Sequence, residues 1–377
     1  MFDACPDRTD TDSLKWSRYR GRDVLPMWVA DMDCVCAEPI LDALRRRVEH
    51  GVFGYAVARP ADTDAVIDWL QNRHNWAIRR EWLVWLPGLV PALNVACRAF
   101  ADPAQDVATF TPIYPPFLSA PAFSQRRLLT CPLTRHSGHY TFDLDALAKT
   151  VTPQTRLLLL CSPHNPVGRL WTQDELLAVA DFCLQRNIVL CSDEIHCDLV
   201  LNENRRHIPT ATLSPEIADN TITLMSPAKT FNLPGLNCGF TVIANEHLRR
   251  RFVHAARGIL PHVNAMGYTA CRAAFSECGP WQQELIAHLR ANRDFLCVRI
   301  NALPGLSVSP AEATYLAWID ASGLNTESPA QWFEQAGVGV SDGKDFNGHG
   351  FVRLNFGCSR EQVKEAVRRI QTAINTR

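Results

Sequence analysis

Three stretches carry the side chains that could do chemistry. The first is Ser226-Pro-Ala-Lys229-Thr-Phe-Asn-Leu-Pro-Gly235-Leu-Asn-Cys-Gly239, which follows the apolar run Thr221–Met225 and leads into a second one, Phe240–Ile243. A lone lysine at a strand end is ordinarily a solvated charge, whereas one held out of water keeps an amine that can serve as nucleophile and base. The second stretch is Leu157-Leu-Leu-Leu-Cys-Ser-Pro-His-Asn165-Pro166-Val-Gly168. Its four leucines read as a strand buried on both faces, ending in a proline-stiffened turn that presents an amide. The third is Ile188-Val-Leu-Cys-Ser-Asp193-Glu194-Ile-His196, another apolar strand that ends in two carboxylates and a histidine. Ligands of open parallel sheets bind beyond the carboxyl ends of the strands. Asn165, Asp193 and Lys229 are therefore expected at one rim. Side chains alternate along a strand, so only one of Asp193 and Glu194 can face that rim.

The elements around these stretches follow from pattern and punctuation. Glu38 to His50 has helical apolar spacing at Ile40, Leu41, Leu44 and Val48, with Arg45, Arg46 and Arg47 outward. Asp62 to Asn75 reads as a helix and Glu81 to Leu86 as a strand. Pro87-Gly88-Leu89-Val90-Pro91 then opens a helix to about Phe100. A glycine-containing turn into a helix leaves free N–H groups that suit a phosphate, here at Leu89 and Val90. Asp106 begins a strand that ends in the aromatic loop Ile113-Tyr114-Pro-Pro-Phe117. Thr172-Gln-Asp-Glu175 is a capping box for a helix to about Arg186. The strand–helix–strand unit over 155–193 should cross over right-handed. Residues 1–24 read as a polar arm with little structure of its own. Asn245 caps a further helix, helices follow over 268–277 and 281–302, strands over 314–319 and 350–356, and a closing helix over 361–376.

These motifs resemble the fold-type I pyridoxal-phosphate (PLP) enzymes of the aspartate aminotransferase superfamily. Within it they are similar to the MalY/PatB cystathionine β-lyase, or C–S lyase, branch. The resemblance rests on Leu25-Pro-Met-Trp-Val-Ala-Asp-Met-Asp33, Phe53-Gly-Tyr55, Asp193-Glu-Ile-His196, Lys229-Thr-Phe-Asn232, Thr314-Tyr-Leu-Ala-Trp318 and Arg353-Leu-Asn355, and it spans nearly the whole chain. It implies an α/β fold: a large PLP-transferase-like domain with a mostly parallel sheet, plus a small α+β domain formed by both termini. The expected boundaries are 1–48 and 258–377 for the small domain and 49–257 for the large one.

The resemblance also implies roles. Lys229 would anchor the cofactor and take the Cα proton, and Asp193 would keep the ring nitrogen protonated. Asn165 would bond the ring hydroxyl and help bind substrate. Tyr114 would stack on the ring and serve proton transfer. Ser226, with the N–H groups at Leu89 and Val90, would hold the phosphate, and Tyr55 would reach that of a neighbouring subunit. His196 would support Asp193 or lie behind it. Arg353 would take the substrate carboxylate by two parallel hydrogen bonds. Two positions depart from the pattern. Ala228 stands where a serine often lies beside the lysine, and Asn237 stands where many aminotransferases place a phosphate-binding arginine. Both point to looser phosphate binding and away from a generic aminotransferase.

Composition narrows the function classes. The 377 residues suffice for two domains with sizeable cores. Thirty-eight basic against 39 acidic residues leave a net charge of -1, which favours neither nucleic acid nor an anionic membrane. The start, Met1-Phe-Asp-Ala-Cys, lacks the basic and apolar regions of a secretory signal, so the 14 cysteines are expected to be reduced thiols in the cytoplasm. Cys34-Val-Cys36 lacks metal-ligand spacing, and no metal is expected. The expected activity is elimination of thiol from a cysteine S-conjugate such as L-cystathionine, with release of pyruvate and ammonia, in a homodimer with shared active sites. The alternatives are a PLP-dependent aminotransferase and a regulatory protein that binds a transcription factor.

Overall fold

The computed structural model describes residues 2–376. Its centre is a seven-stranded sheet in the order Leu83–Leu86, Gly239–Val242, Thr221–Met225, Val189–Asp193, Thr155–Cys161, Asp106–Thr111, Arg127–Pro132. From Thr221–Met225 to Arg127–Pro132 all neighbours are parallel, and Gly239–Val242 runs antiparallel to both of its neighbours. The apolar runs form strands because both of their faces are covered. Leu157 and Leu159 enter one core cluster with Val95 and Phe252, while Leu158 and Leu160 enter another with Val179 and Phe182. Helices Leu89–Phe100 and Glu246–Ala256 thus cover one face and Gln173–Gln185 the other. The last begins at the expected capping box, in which Thr172 Oγ1 accepts from the Glu175 N–H at 3.1 Å.

A smaller antiparallel sheet has the order Ser307–Val308, Leu316–Asp320, Phe351–Asn355, Ser341–Asp342. Beside it Leu25–Pro26 pairs in parallel with Val338–Gly339, so both ends of the chain build this body. The helices Gly279–Asn301 and Arg360–Asn375 pack on each other through Ile300, Val363, Val367 and Ile370, all in one core cluster. No helix among the described residues is long and apolar enough to cross a membrane.

The polar arm departs most from expectation. Ser13 caps a short helix, Leu14–Ser17, and Lys15 on it is buried at 1% exposure. Its ammonium pairs with Asp33 at 2.7 Å, and Arg8 holds the same carboxylate at 2.8 Å. Local sequence shows the charges but not that partners 18 residues apart meet. Val48, expected on the apolar stripe, is 55% exposed. The strand expected from Glu81 begins at Leu83, because Arg80–Trp82 forms a 3-10 turn. Beyond Tyr114 the loop becomes a helix, Pro115–Phe123, whose first two prolines occupy positions that need no N–H donor.

Candidate active site

Four strand ends converge on a cavity of about 240 Å³ at the carboxyl rim of the large sheet, lined by Tyr114, Asn165, Asp193, His196, Ser226 and Lys229. The parallel register places them there: Cys161 lies opposite Asp193, and Asp193 opposite Leu224, so the turns that follow leave the sheet at one level.

Lys229 sits in the turn after Met225 and donates from Nζ to the Ala30 carbonyl at 2.7 Å. Burial, reinforced by the cationic Arg353, lowers its pKa to about 8, so the neutral amine is within reach near neutrality. Asp193 accepts at Oδ1 from the Ile195 N–H at 3.1 Å. Burial outweighs that bond and raises the carboxyl to about 7. Glu194 turns to the other side of the strand, as the pleat requires. There it accepts from Ser192 Oγ at 2.8 Å and the Thr210 N–H at 3.0 Å, and it meets His207 Nε2 at 2.7 Å.

Arg353 lies on Phe351–Asn355 with only 4% exposure. It donates to Asn165 Oδ1 and to the Trp28 carbonyl, both at 3.0 Å, and its guanidinium stands 4.7 Å from the Phe346 ring centre. Its Nε has no partner. Tyr114 is fixed by its N–H, which donates to the Asn165 carbonyl at 3.1 Å, and burial raises its phenol. Ser226 donates from Oγ to the Cys238 carbonyl at 2.7 Å and accepts from the Ala228 N–H at 3.1 Å. Across from it helix Leu89–Phe100 starts without a side-chain cap, directly after Gly88 at φ 146. The N–H groups of Leu89 and Val90 are therefore left free at the cavity, and Pro91 has none. Asn237 also lines the cavity, in a left-handed backbone conformation with φ 49.

Two expected residues stand differently. No hydrogen bond joins His196 to Asp193. The buried imidazole lies edge-on to Tyr315, at 6.3 Å between centroids, and its Nδ1 has no partner. Burial, then Lys229 and Arg353, push its pKa down to about 3, so it is neutral. Tyr55 is fully exposed in the irregular stretch 51–59 and lines a separate groove with Arg46, Arg47 and Arg272 rather than this chain's cavity.

The residues that sequence reasoning left without roles form a strap across the site. Every carbonyl from Trp28 to Met32 is held by a side chain. Ser341 Oγ binds Trp28 O at 2.7 Å, and Asn355 Nδ2 reaches both Val29 O and Asp31 O at 2.6 Å. The Tyr315 hydroxyl shares Ala30 O with Lys229 at 3.0 Å, and Asn232 Nδ2 binds Met32 O at 2.9 Å. Asn232, Tyr315 and Asn355 were signalled only by the wording of the three motifs that contain them, and Ser341 by none. Elsewhere His74, Cys197 and Asp198 place donor atoms within 4.8 Å of one another. Both Asp198 oxygens are already engaged, by His74 at 3.0 Å and Trp69 at 2.9 Å.

The cavity fits pyridoxal phosphate on its own chemistry. A desolvated amine stands ready for the aldehyde, and a buried acid that lacks a close cationic partner awaits a protonated ring nitrogen. Free N–H groups at a helix start offer a phosphate cup.

Comparison with known proteins agrees. Residues 39–370 match the family model "Aminotransferase class I and II". The chain is 37% identical to cystathionine β-lyase PatB of Bacillus subtilis (strain 168), over 99% of this chain and 100% of the relative. It superposes on the crystal structure of OvoB with a TM-score of 0.98, 45% identity and full coverage of both chains. On cystalysin from Treponema denticola, whose structure contains a pyridoxal 5'-phosphate cofactor, the TM-score is 0.95 at 31% identity, covering 100% and 99%. The chain belongs to the class I and II aminotransferase family and is a pyridoxal-phosphate-dependent enzyme.

Proposed function

We propose that the protein is a C–S β-lyase, which cleaves L-cystathionine or a related cysteine S-conjugate to a thiol, pyruvate and ammonia. The observation that carries it is the meeting of Lys229 and Asp193 in one cavity, with Arg353 hydrogen-bonded to Asn165 in its wall, in a chain 37% identical, end to end, to a relative named cystathionine β-lyase. Bound pyridoxal phosphate supplies an electron sink for charge developing at the substrate Cα.

The chain's own residues do the rest. Arg353 grips the α-carboxylate, with Asn165 beside it, and so orients the Cα–H bond towards Lys229. The Lys229 amine, held near neutral, takes that proton. Asp193 would keep a positive charge on the ring nitrogen. Asn165 would bond the ring hydroxyl, and Tyr114 would stack on the ring and protonate the departing thiolate. The N–H groups of Leu89 and Val90 would hold the phosphate, joined by Ser226 once its hydroxyl turns from the Cys238 carbonyl, without help from an arginine at position 237. His196 would serve as a neutral packing partner in the cavity wall.

The exposed stretch with Val52, Phe53, Tyr55 and Val57 suits burial against a second copy of the chain. In such a homodimer Tyr55 would reach the partner's phosphate. All fourteen cysteines are unpaired, which accords with a reducing, cytoplasmic location. We take 49–257 as the large domain, and 1–48 with 258–377 as the small one.

The test is incubation with L-cystathionine and pyridoxal phosphate, with no 2-oxo acid present, following free thiol and pyruvate together. Equal catalytic release of both is expected. Turnover only after an oxo-acid acceptor is added would replace the lyase with an aminotransferase. A Lys229→Ala variant that lost activity but kept a cellular effect would point to the regulatory role.

A further inference from the structure

Beside the cavity lies a second groove, of about 470 Å³. The two are continuous in chemistry. Tyr114 lines both, and Arg353, on the groove side, is hydrogen-bonded to Asn165 on the cavity side. An α-carboxylate held on Arg353 would therefore sit where the cavity adjoins the groove. The groove is charged, unlike the more apolar cavity. Three of its six charged side chains are already matched: Asp342 pairs with Lys344 at 3.0 Å and Glu334 with Arg22 at 2.7 Å. Arg353 is reserved for the substrate carboxylate, and two more are unmatched. Among the described residues neither Arg18 nor Asp345 has an ion-pair partner within 4.0 Å, and both line the groove.

Arg18 is also positioned. Its guanidinium lies 4.7 Å from the Trp28 ring centre and 5.5 Å from that of Tyr19. Trp28 is held in turn by its indole N–H, which donates to the Lys15 carbonyl at 3.1 Å, and by its own carbonyl, which accepts from Arg353. The free cation is thus fixed relative to the residue that takes the substrate carboxylate. Asp345 is placed by the 3-10 turn Gly343–Phe346, whose Phe346 lies under Arg353.

We propose that Arg18 and Asp345 form the subsite for the thiol half of the substrate, and that this half is itself zwitterionic: Arg18 takes a carboxylate and Asp345 an ammonium. The proposal rests on the β-lyase reading and narrows it, from any cysteine S-conjugate to those whose leaving thiol carries an amino-acid group. A small alkyl thiol would leave both charges unanswered. A stacked guanidinium suits a carboxylate because its planar face rests on the indole while its edge offers paired donors.

The experiment compares full-length holoenzyme with Arg18→Gln, Arg18→Lys and Asp345→Asn on two substrates, L-cystathionine and S-methyl-L-cysteine, reading pyruvate. Loss of one charge-assisted contact should lower the kcat/KM ratio of the first substrate to the second by roughly tenfold or more. The change should fall on KM for L-cystathionine rather than on kcat, and Arg18→Lys should recover part of it. A ratio that stays within about twofold in both Arg18→Gln and Asp345→Asn overturns the subsite. So does wild-type enzyme that prefers S-methyl-L-cysteine, which leaves the lyase reading intact. Wild-type enzyme that releases pyruvate from neither substrate removes the lyase reading and the subsite with it. Exposed positions were chosen so that folding, checked by circular dichroism and the bound chromophore, is retained.

Discussion

Asp193→Asn gives the sharpest test of how the site is built. In the folded chain without cofactor, burial raises this carboxyl from 3.8 to about 7. The unfolded chain releases the proton first as pH rises, so between these values the folded state binds more protons. Asp193 therefore contributes stability that is fully present below about pH 4 and lost as pH climbs through about 7. Over the whole window the loss is about 4 kcal/mol, and between about pH 5 and about pH 8 it is about 3 kcal/mol. Asparagine has the shape of the protonated acid and can still accept from the Ile195 N–H, but it cannot charge. Urea unfolding of cofactor-stripped wild type and variant across that range should show the variant's advantage growing with pH by about 3 kcal/mol. Adding pyridoxal phosphate should reverse the order, because the wild-type carboxylate then meets a protonated ring nitrogen and the amide does not. A difference that stays flat with pH in the stripped proteins would show that Asp193 is solvated or already paired, and the account of the cavity would fail.

Two other substitutions probe the supports. Lys15→Met removes the buried cation at 2.7 Å from Asp33 but leaves Arg8 in place. It should cost about 2–4 kcal/mol by urea titration, somewhat less than a buried pair left wholly unmatched, and adding Asp33→Leu should restore part of the loss. Arg353→Lys keeps the charge but gives up the planar fork that spans Asn165 and the Trp28 carbonyl. It should lower kcat/KM on L-cystathionine by about 2 kcal/mol, roughly thirtyfold, with the fold unchanged by circular dichroism.

Much of the candidate site was readable because it is built from local pattern. Four consecutive leucines specify a strand covered on both faces, Thr172 and Glu175 specify a helix start, and a parallel sheet brings successive strand ends to one rim. Lys229, Asp193 and Asn165 followed from those rules, and the alternation of the pleat separated Asp193 from Glu194. Arg353 was found from its motif, though its partners were not. Where expectation failed, the deciding interaction was distant or steric. Val48 sits at a helical apolar spacing yet is left largely exposed, which spacing along one helix cannot foretell.

The succession of strands and helices along the chain, the chemical groups at the rim and, by resemblance, the cofactor were all legible in the amino-acid order. Periodicity, caps and turn residues act over a few positions and are legible there. The tertiary structure alone decided how those groups are tuned. Tyr315 and Lys229 share the Ala30 carbonyl from 285 and 199 residues away, and Asn355 ties down the strap from more than 320. The same is true of Lys15 on Asp33 and of the separation of Tyr55 from this chain's own cavity. Such contacts are made by backbone carbonyls and buried charges, whose partners depend on where the chain returns in space rather than on what lies beside them in sequence.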